Sequence, residues 1–377
     1  MKNKKFYYAI ASLVGATIGV GIFGIPYVIA KTGFIWGMFF LIFLGLVNLL
    51  INLSYGEVVL ATKEKHRLVC YAQKYLSKWE WRTAFFSIIF SYYGALIAYL
   101  IVGGEFLYIL LNGFFGADTF TYTLILFAVV SYFIFLGLKI VTKGELIMTG
   151  FLFLTIIVLF IKCAGAIELT NLATLNLSDW FLPYGVIIFA LSGSVTIPHL
   201  KEILGKEQKL MKKTILWGTV IPIVVCAFFT LLVVGITGEA TTKEAIHGLD
   251  IFFGDGIILL GALFGFLAVT TSFLLIGLNL KETFWYDLKI PHFISWLLAC
   301  FVPFFIFLIG LRDFTEVISF VGAIAGGLTG IIIIGLNESA KKKKDISPAY
   351  SISISPFVQW GLITLFSLGI IYEIIFR

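Results

Sequence analysis

The chain has 377 residues, 60% of them hydrophobic and 13% charged, with a formal net charge of +6 at pH 7 and a mean hydropathy of +1.04. Soluble domains carry roughly 25% charged residues, so this composition excludes a soluble globular protein and leaves an integral membrane protein. Nucleic acid is not needed as a partner, because the surplus of positive charge is placed as membrane topology demands.

A helix needs about 20 apolar residues to cross a bilayer. Such runs are expected at 6–30, 34–58, 83–112, 120–137, 146–166, 182–204, 214–236, 252–280, 293–310, 314–336 and 356–376. They make eleven all-α spans in a single transmembrane domain over 1–377, with no room for a soluble domain. "MKNKK" precedes the first run, but that run is too long and too glycine-broken for a signal peptide, and no small-x-small site follows it. Cytoplasmic loops retain Lys and Arg, and alternate loops hold 22 of the 27 basic residues. These include Lys2, Lys139, Lys143, Lys201, Lys281 and the run Lys341 to Lys344, whereas Lys31, Lys162, Lys243, Arg312 and Arg377 fall on the other side. The N-terminus is therefore expected in the cytoplasm, the C-terminus outside, and the chain in the cell membrane. The lysine run reads as a topological anchor rather than a lipid site.

Span one carries "GATIGVGIFGIP", Gly15 to Pro26. Gly19, Gly21 and Gly24 spell GxGxxG, but a dinucleotide fingerprint needs a strand before it and a helix after it. Gly15 and Gly19 spell GxxxG, a packing motif of continuous helices. Continuity fails here, since each interior glycine costs about 1 kcal/mol and proline about 3. One helix is expected to stop near Thr17 to Gly19 and a second to start near Gly24 to Pro26. Freed backbone groups in lipid are tolerated only where they line a cavity or meet a ligand. The second half-helix offers its positive end to a carboxylate and the free carbonyls suit an ammonium, so an amino-acid zwitterion fits both.

Span two ends in Glu57, solvated or structural. Span three carries Glu105 in "IVGGEFLYILL"; an ionisable group inside the membrane is a functional candidate, here a proton carrier or a structural carboxylate. Lys162 near the outer end of span five is expected to snorkel to the interface. Span six, "PYGVIIFALSGSVTIPHLKEIL", repeats the first-span signal: Gly193 stands five residues before Pro198, as Gly21 does before Pro26. A second broken span at the sixth position is what an inverted five-plus-five repeat requires. Thr270, Thr271 and Ser272 cluster halfway down span eight, either as oxygen ligands for a hard cation or bonded back to their own helix. Cys70, Cys163, Cys226 and Cys300 form no CxxC and read as packing residues. No metal motif, paired carboxylates or nucleophile-base set appears, so an enzyme is not expected and neither is a resident cofactor.

"GATIGVGIFGIP", "AYLIVGGEFLYILL", "FALSGSVTIP" and "LAVTTSFLLIGLNLKETFWYDL" together resemble the amino acid–polyamine–organocation superfamily, most closely its aromatic amino acid (tryptophan/tyrosine) permease branch. Phe23-Gly24, Leu275 and Asn279 depart from the branch pattern. The resemblance implies a LeuT-like fold, with repeats over 6–166 and 182–336 and a peripheral span at 356–376. It implies a site between the two breaks, where Ala16, Thr17, Gly19 and Gly21 meet the carboxylate while Phe189, Ala190, Ser192 and Gly193 meet the ammonium and shape the side-chain pocket. It also points to Thr271 and Ser272 as ion ligands if sodium drives the cycle. The function implied is a secondary active permease for aromatic or other neutral amino acids, proton-coupled in the first instance and sodium-coupled in the second. A non-transporting amino-acid receptor of the same fold, of the spore-germinant type, is the alternative from another class.

Overall fold

The computed structural model describes residues 2–64, 66–176, 179–245, 255–343 and 345–376, with backbone alone over 138–149. Among the sequence readings, the side chains of Lys2, Lys139 and Lys143, the residues Lys344 and Arg377, and the start of the eighth run at 252–254 lie outside the described residues.

Helices account for nearly every apolar run. In chain order they are α1 (Lys2–Thr17), α2 (Gly21–Thr32), α3 (Phe34–Ala61), α4 (Leu68–Tyr75), α5 (Lys78–Phe115), α6 (Thr119–Leu136), α7 (Leu138–Cys163), α8 (Leu169–Leu172), α9 (Pro183–Ala190) and α10 (Ile197–Leu204). There follow α11 (Met211–Thr237), α12 (Asp255–Glu282), α13 (His292–Ile309), α14 (Phe314–Val321), α15 (Gly327–Lys342) and α16 (Pro356–Phe376). Among the described residues nine helices are long and apolar enough to cross a membrane, or ten with α1 and α2 taken as one bent span. The expected fifth span falls on the helix α7 and lies outside that count, its apolar part, Phe153–Ala166, being shorter than a full span.

Local chemistry sets where the long helices begin and end. Ser77 and Glu80 form a reciprocal capping box at the start of α5, and Asp118 and Asp313 accept the N–H of Thr121 and Glu316 at the starts of α6 and α14. Each satisfies a donor that the helix itself leaves open.

The loops collect on two faces. On one, Lys74 Nζ donates to Asp345 at 2.6 Å and the amide of Asp345 to Ala61 O at 3.1 Å, while Arg67 reaches Glu202 at 3.2 Å. On the other, Asn176 N donates to Thr32 O at 3.0 Å, Glu168 N to Gly235 O at 2.8 Å, and Lys243 pairs with Asp313. These are called below the Arg67 face and the Lys243 face.

Three charges on the Arg67 face are buried. Lys201 is 9% exposed and its ammonium donates to Val59 O at 3.0 Å and Thr62 O at 2.5 Å, closing the end of α3. Lys281 is 2% exposed and donates to Ile134 O at 2.6 Å, closing the end of α6. A cation at the negative end of a helix dipole is favourable, and each lysine ties one helix to another. Lys201→Met leaves the α3 carbonyls without that donor and is expected to cost about 1.5–3 kcal/mol, read as a lower unfolding temperature in detergent with Lys201→Arg as the partial rescue.

Glu57 is the third. It is 3% exposed and accepts from Asn337 Nδ2 at 3.0 Å, Ser351 Oγ at 2.5 Å and Ile352 N at 3.0 Å, with Lys341 Nζ at 3.8 Å. Of the two sequence readings for Glu57, the structural one holds.

Candidate functional site

The first span breaks where its helix-breakers cluster. α1 and α2 meet at 55° across residues 18–20. Pro26 lies inside α2, so the second helix starts at Gly21, earlier than the Gly24 to Pro26 expected. The reason is visible in the first turn: Ile22 N and Phe23 N already donate back to Gly19 O at 3.5 Å and Val20 O at 3.1 Å, so helical geometry is established before the proline. The sixth span is interrupted too. α9 stops at Ala190, Leu191 to Gly193 are non-helical, Ser194–Thr196 form a 3₁₀ turn, and α10 starts at Ile197 with Pro198 in its first turn.

The two breaks face each other. A Cβ added to Gly21 would stand 2.5 Å from Ala190 Cα and 2.7 Å from its Cβ, so only glycine permits this approach. A cavity of about 70 Å³ opens between them. Ala16, Thr17, Gly19, Gly21, Phe189, Ala190 and Ser192 all line it. Gly193 is the exception among the residues expected to meet substrate, since its Cα packs instead against Thr17 Oγ1 and Leu13 of the first break. Thr17 Oγ1 donates to Leu13 O at 2.7 Å, which leaves its lone pairs available.

Toward the Arg67 face the cavity is walled by Tyr55, Tyr92, Pro198, Ile276 and Arg67 itself. At this mouth Arg67 reaches Glu282 at 3.7 Å as well as Glu202, and His199 Nε2 meets Asn279 Oδ1 at 3.1 Å. Arg67, in the loop before α4, thus joins α10 to the end of α12, and His199 joins α10 to α12 directly. Toward the Lys243 face the way is closed by four buried rings. Phe23 lies edge-on to Phe106, Phe264 and Phe229 with centroids at 4.9, 5.3 and 5.7 Å, and none is more than 1% exposed. The sequence departures at Phe23 and Asn279 thus fall on the two ends of the passage.

The residues considered for coupling are not gathered in the cavity. Ser272 comes nearest: its hydroxyl and that of Tyr99 lie over Gly19, 2.9 and 3.3 Å from where a Cβ would stand. Ser272 Oγ is buried and has no hydrogen-bond partner among the described residues, and the same is true of Thr270 Oγ1. Thr271 bonds back to Leu267 O and Ala268 O, both at 3.0 Å. Glu105 adjoins Phe106 of the aromatic closure and does not line the cavity; its Oε2 is buried and has no hydrogen-bond partner among the described residues. Lys162, at the end of α7, is exposed.

Sequence reasoning missed Asn48 and Arg67. Asn48 Nδ2 donates to Leu191 O at the second break, and Asn52 Nδ2 to Thr219 Oγ1 at 3.2 Å. Two asparagines one turn apart in an apolar span were a readable signal, because amides in lipid seek partners on neighbouring helices. Arg67 carried no such signal, being one basic residue among several in its loop.

An all-helical membrane bundle whose enclosed cavity lies between two interrupted helices has the build of a solute carrier. The chain belongs to the tryptophan/tyrosine permease family, whose sequence profile matches residues 2–375, and the members of that family are permeases, not enzymes. Among solved structures, 152 chains match. One is the crystal structure of MhsT in complex with L-phenylalanine, with a TM-score of 0.68 at 14% identity over 98% of this chain and 97% of that one. The likeness shows a shared, LeuT-like fold. A search of curated proteins finds no match.

Proposed function

We propose that the chain is a secondary active amino acid permease for aromatic or other neutral amino acids, working by alternating access. The observation that carries this reading is the convergence of both helix breaks on one cavity, with the N-terminus of α2 at Gly21 lining it. The family and the L-phenylalanine bound to a structural relative support an aromatic substrate. The substrate carboxylate lies against Ala16, Thr17, Gly19 and Gly21. The ammonium and side chain lie against Phe189, Ala190 and Ser192, and Gly193 holds the two breaks together.

A cavity that admits benzene is about 150 Å³, roughly twice this one, so the lining yields when an aromatic amino acid enters. The passage is closed by aromatic rings on the Lys243 face and runs toward Arg67. With the basic face cytoplasmic, as charge placement supports, the described state leads inward, and the Arg67–Glu282 pair parts on release. The finer architecture proposed is eleven spans, with inverted repeats over 6–166 and 182–336 and a peripheral span at 356–376.

Coupling to protons through Glu105 is the first reading. Sodium is the second, favoured by the buried Ser272 hydroxyl beside Gly19 of the first break. Uptake of labelled tryptophan, tyrosine and phenylalanine into proteoliposomes, under a pH gradient or a sodium gradient in turn, tests both the function and the ion. Glu105→Gln is expected to lose gradient-driven accumulation while keeping exchange of internal for external substrate. If it keeps both while Ser272→Ala loses accumulation, sodium is the driver. Uptake of no amino acid under either gradient points to the non-transporting receptor instead.

A further inference from the structure

A second cavity, of about 650 Å³, lies away from the breaks, between α5, the turn from α13 into α14, α14 itself and α16. Its two ends differ in chemistry. Deep in the bilayer it is apolar, walled by Phe90, Ile97, Val317 and Phe320. Phe90 and Phe320 touch edge to face at 5.8 Å, and both remain open to lipid, 38% and 43% exposed. At the Lys243 face it is lined by Arg312, Glu316 and Glu373. Asp313 also lines this end, but it is taken up by Lys243. Arg312 and Glu316 are exposed and make no ion pair among the described residues, whereas Glu373 is 4% exposed and accepts from Ser319 Oγ at 3.1 Å.

A carboxylate held in an apolar span is costly and marks a functional site by default. Here the charges gather at one end of the cavity, since Arg312 and Glu316 flank the start of α14 and Glu373 lies near the end of α16. One guanidinium and two carboxylates at headgroup level, above an apolar slot open to the bilayer, match a zwitterion with a tail. We propose that this cavity holds a phospholipid with a primary-ammonium headgroup. Its phosphate meets the Arg312 guanidinium, for which planar, multiple donors suit a phosphate. Its ammonium donates to Glu316 and Glu373, and an acyl chain lies along Val317 and Phe320. Two carboxylates oppose a purely anionic lipid. A trimethylated ammonium has no N–H to donate and is too bulky to reach the buried Glu373. The lipid presses on the helix whose Ser319 carbonyl abuts Gly185 of α9, so its binding reinforces the packing behind the second break.

The test is thermal unfolding of the delipidated protein in detergent, with phosphatidylethanolamine, phosphatidylcholine of the same acyl chains, or hexylammonium added. Phosphatidylethanolamine is expected to raise the unfolding temperature by roughly 2–4 °C, and phosphatidylcholine by less than half of that. Arg312→Gln and Glu316→Gln, both at exposed positions, are expected to abolish the difference while leaving tryptophan binding unchanged. Val317→Phe, which fills the slot without touching a charge, is expected to do the same. Equal stabilisation by both lipids, or persistence of the difference in all three variants, overturns the proposal. So does stabilisation by hexylammonium alone, which would assign the cavity to free amines.

Discussion

Gly21→Leu is expected to weaken amino-acid binding, and uptake with it, while the protein still inserts and folds in detergent. The first atom of the new side chain would lie 2.5 Å from Ala190 Cα, inside the closest approach of two carbons. The main chain of one break must therefore move away from the other. Overpacking of this kind costs about 1–3 kcal/mol, and because both sides of the cavity carry the proposed substrate contacts, the cost falls on binding, roughly tenfold to a hundredfold in affinity. Gly21→Ala isolates the effect of one methyl group and is expected to lie between wild type and leucine. Gly113→Leu is the matched control, since nothing lies within 4 Å of its would-be Cβ. Equilibrium binding of labelled tryptophan to purified protein is the measurement. Unchanged affinity in Gly21→Leu would show that substrate does not bind at the breaks.

Glu57→Leu is expected to give the largest loss of stability in the molecule. The substitution takes the acceptor from one N–H of the buried Asn337 amide, which keeps its bond to Ser54 O, from the half-buried Ile352 N–H and from the Ser351 hydroxyl, and it removes the carboxylate that faces Lys341. Hydrogen bonds to a charged group contribute about 1.5–3 kcal/mol each, so losing all three from the Glu57 carboxylate costs about 3–5 kcal/mol, enough to lower both expression and unfolding temperature. Glu57→Gln keeps acceptor and shape and is expected to recover part of the loss. The effect is one of folding, so the fraction that does fold should bind substrate normally. Weakened binding with unchanged unfolding would instead connect Glu57 to the transport cycle.

Two kinds of information were legible in the residues. Long apolar runs determined the helices, because lipid forces every backbone group to be satisfied within its own segment. Hence α3, α5, α6, α11, α13 and α16 fall close to their expected bounds. Clusters of helix-breakers in such runs marked which two spans are interrupted, since glycine and proline together lower helix stability at Gly15 to Pro26 and at Gly193 to Pro198, whereas a lone proline, Pro222 or Pro303, leaves its helix continuous. Seven of the eight residues assigned to the amino-acid site consequently line one cavity.

The tertiary structure decided what depends on partners distant in sequence. Whether Glu57 and Lys201 met water or protein was not written in their own segments, because burial of a charge turns on which helix end or loop comes to lie against it. Likewise, the roles of Gly193, as a contact for Thr17 rather than a cavity wall, and of Phe23, as the centre of the aromatic closure, came from the meeting of helices. The sequence by itself determined a helical membrane protein and the two spans that are broken. Only the packed bundle decided which groups face the passage and which close it, since a spanning helix dictates its own hydrogen bonds but not its neighbours.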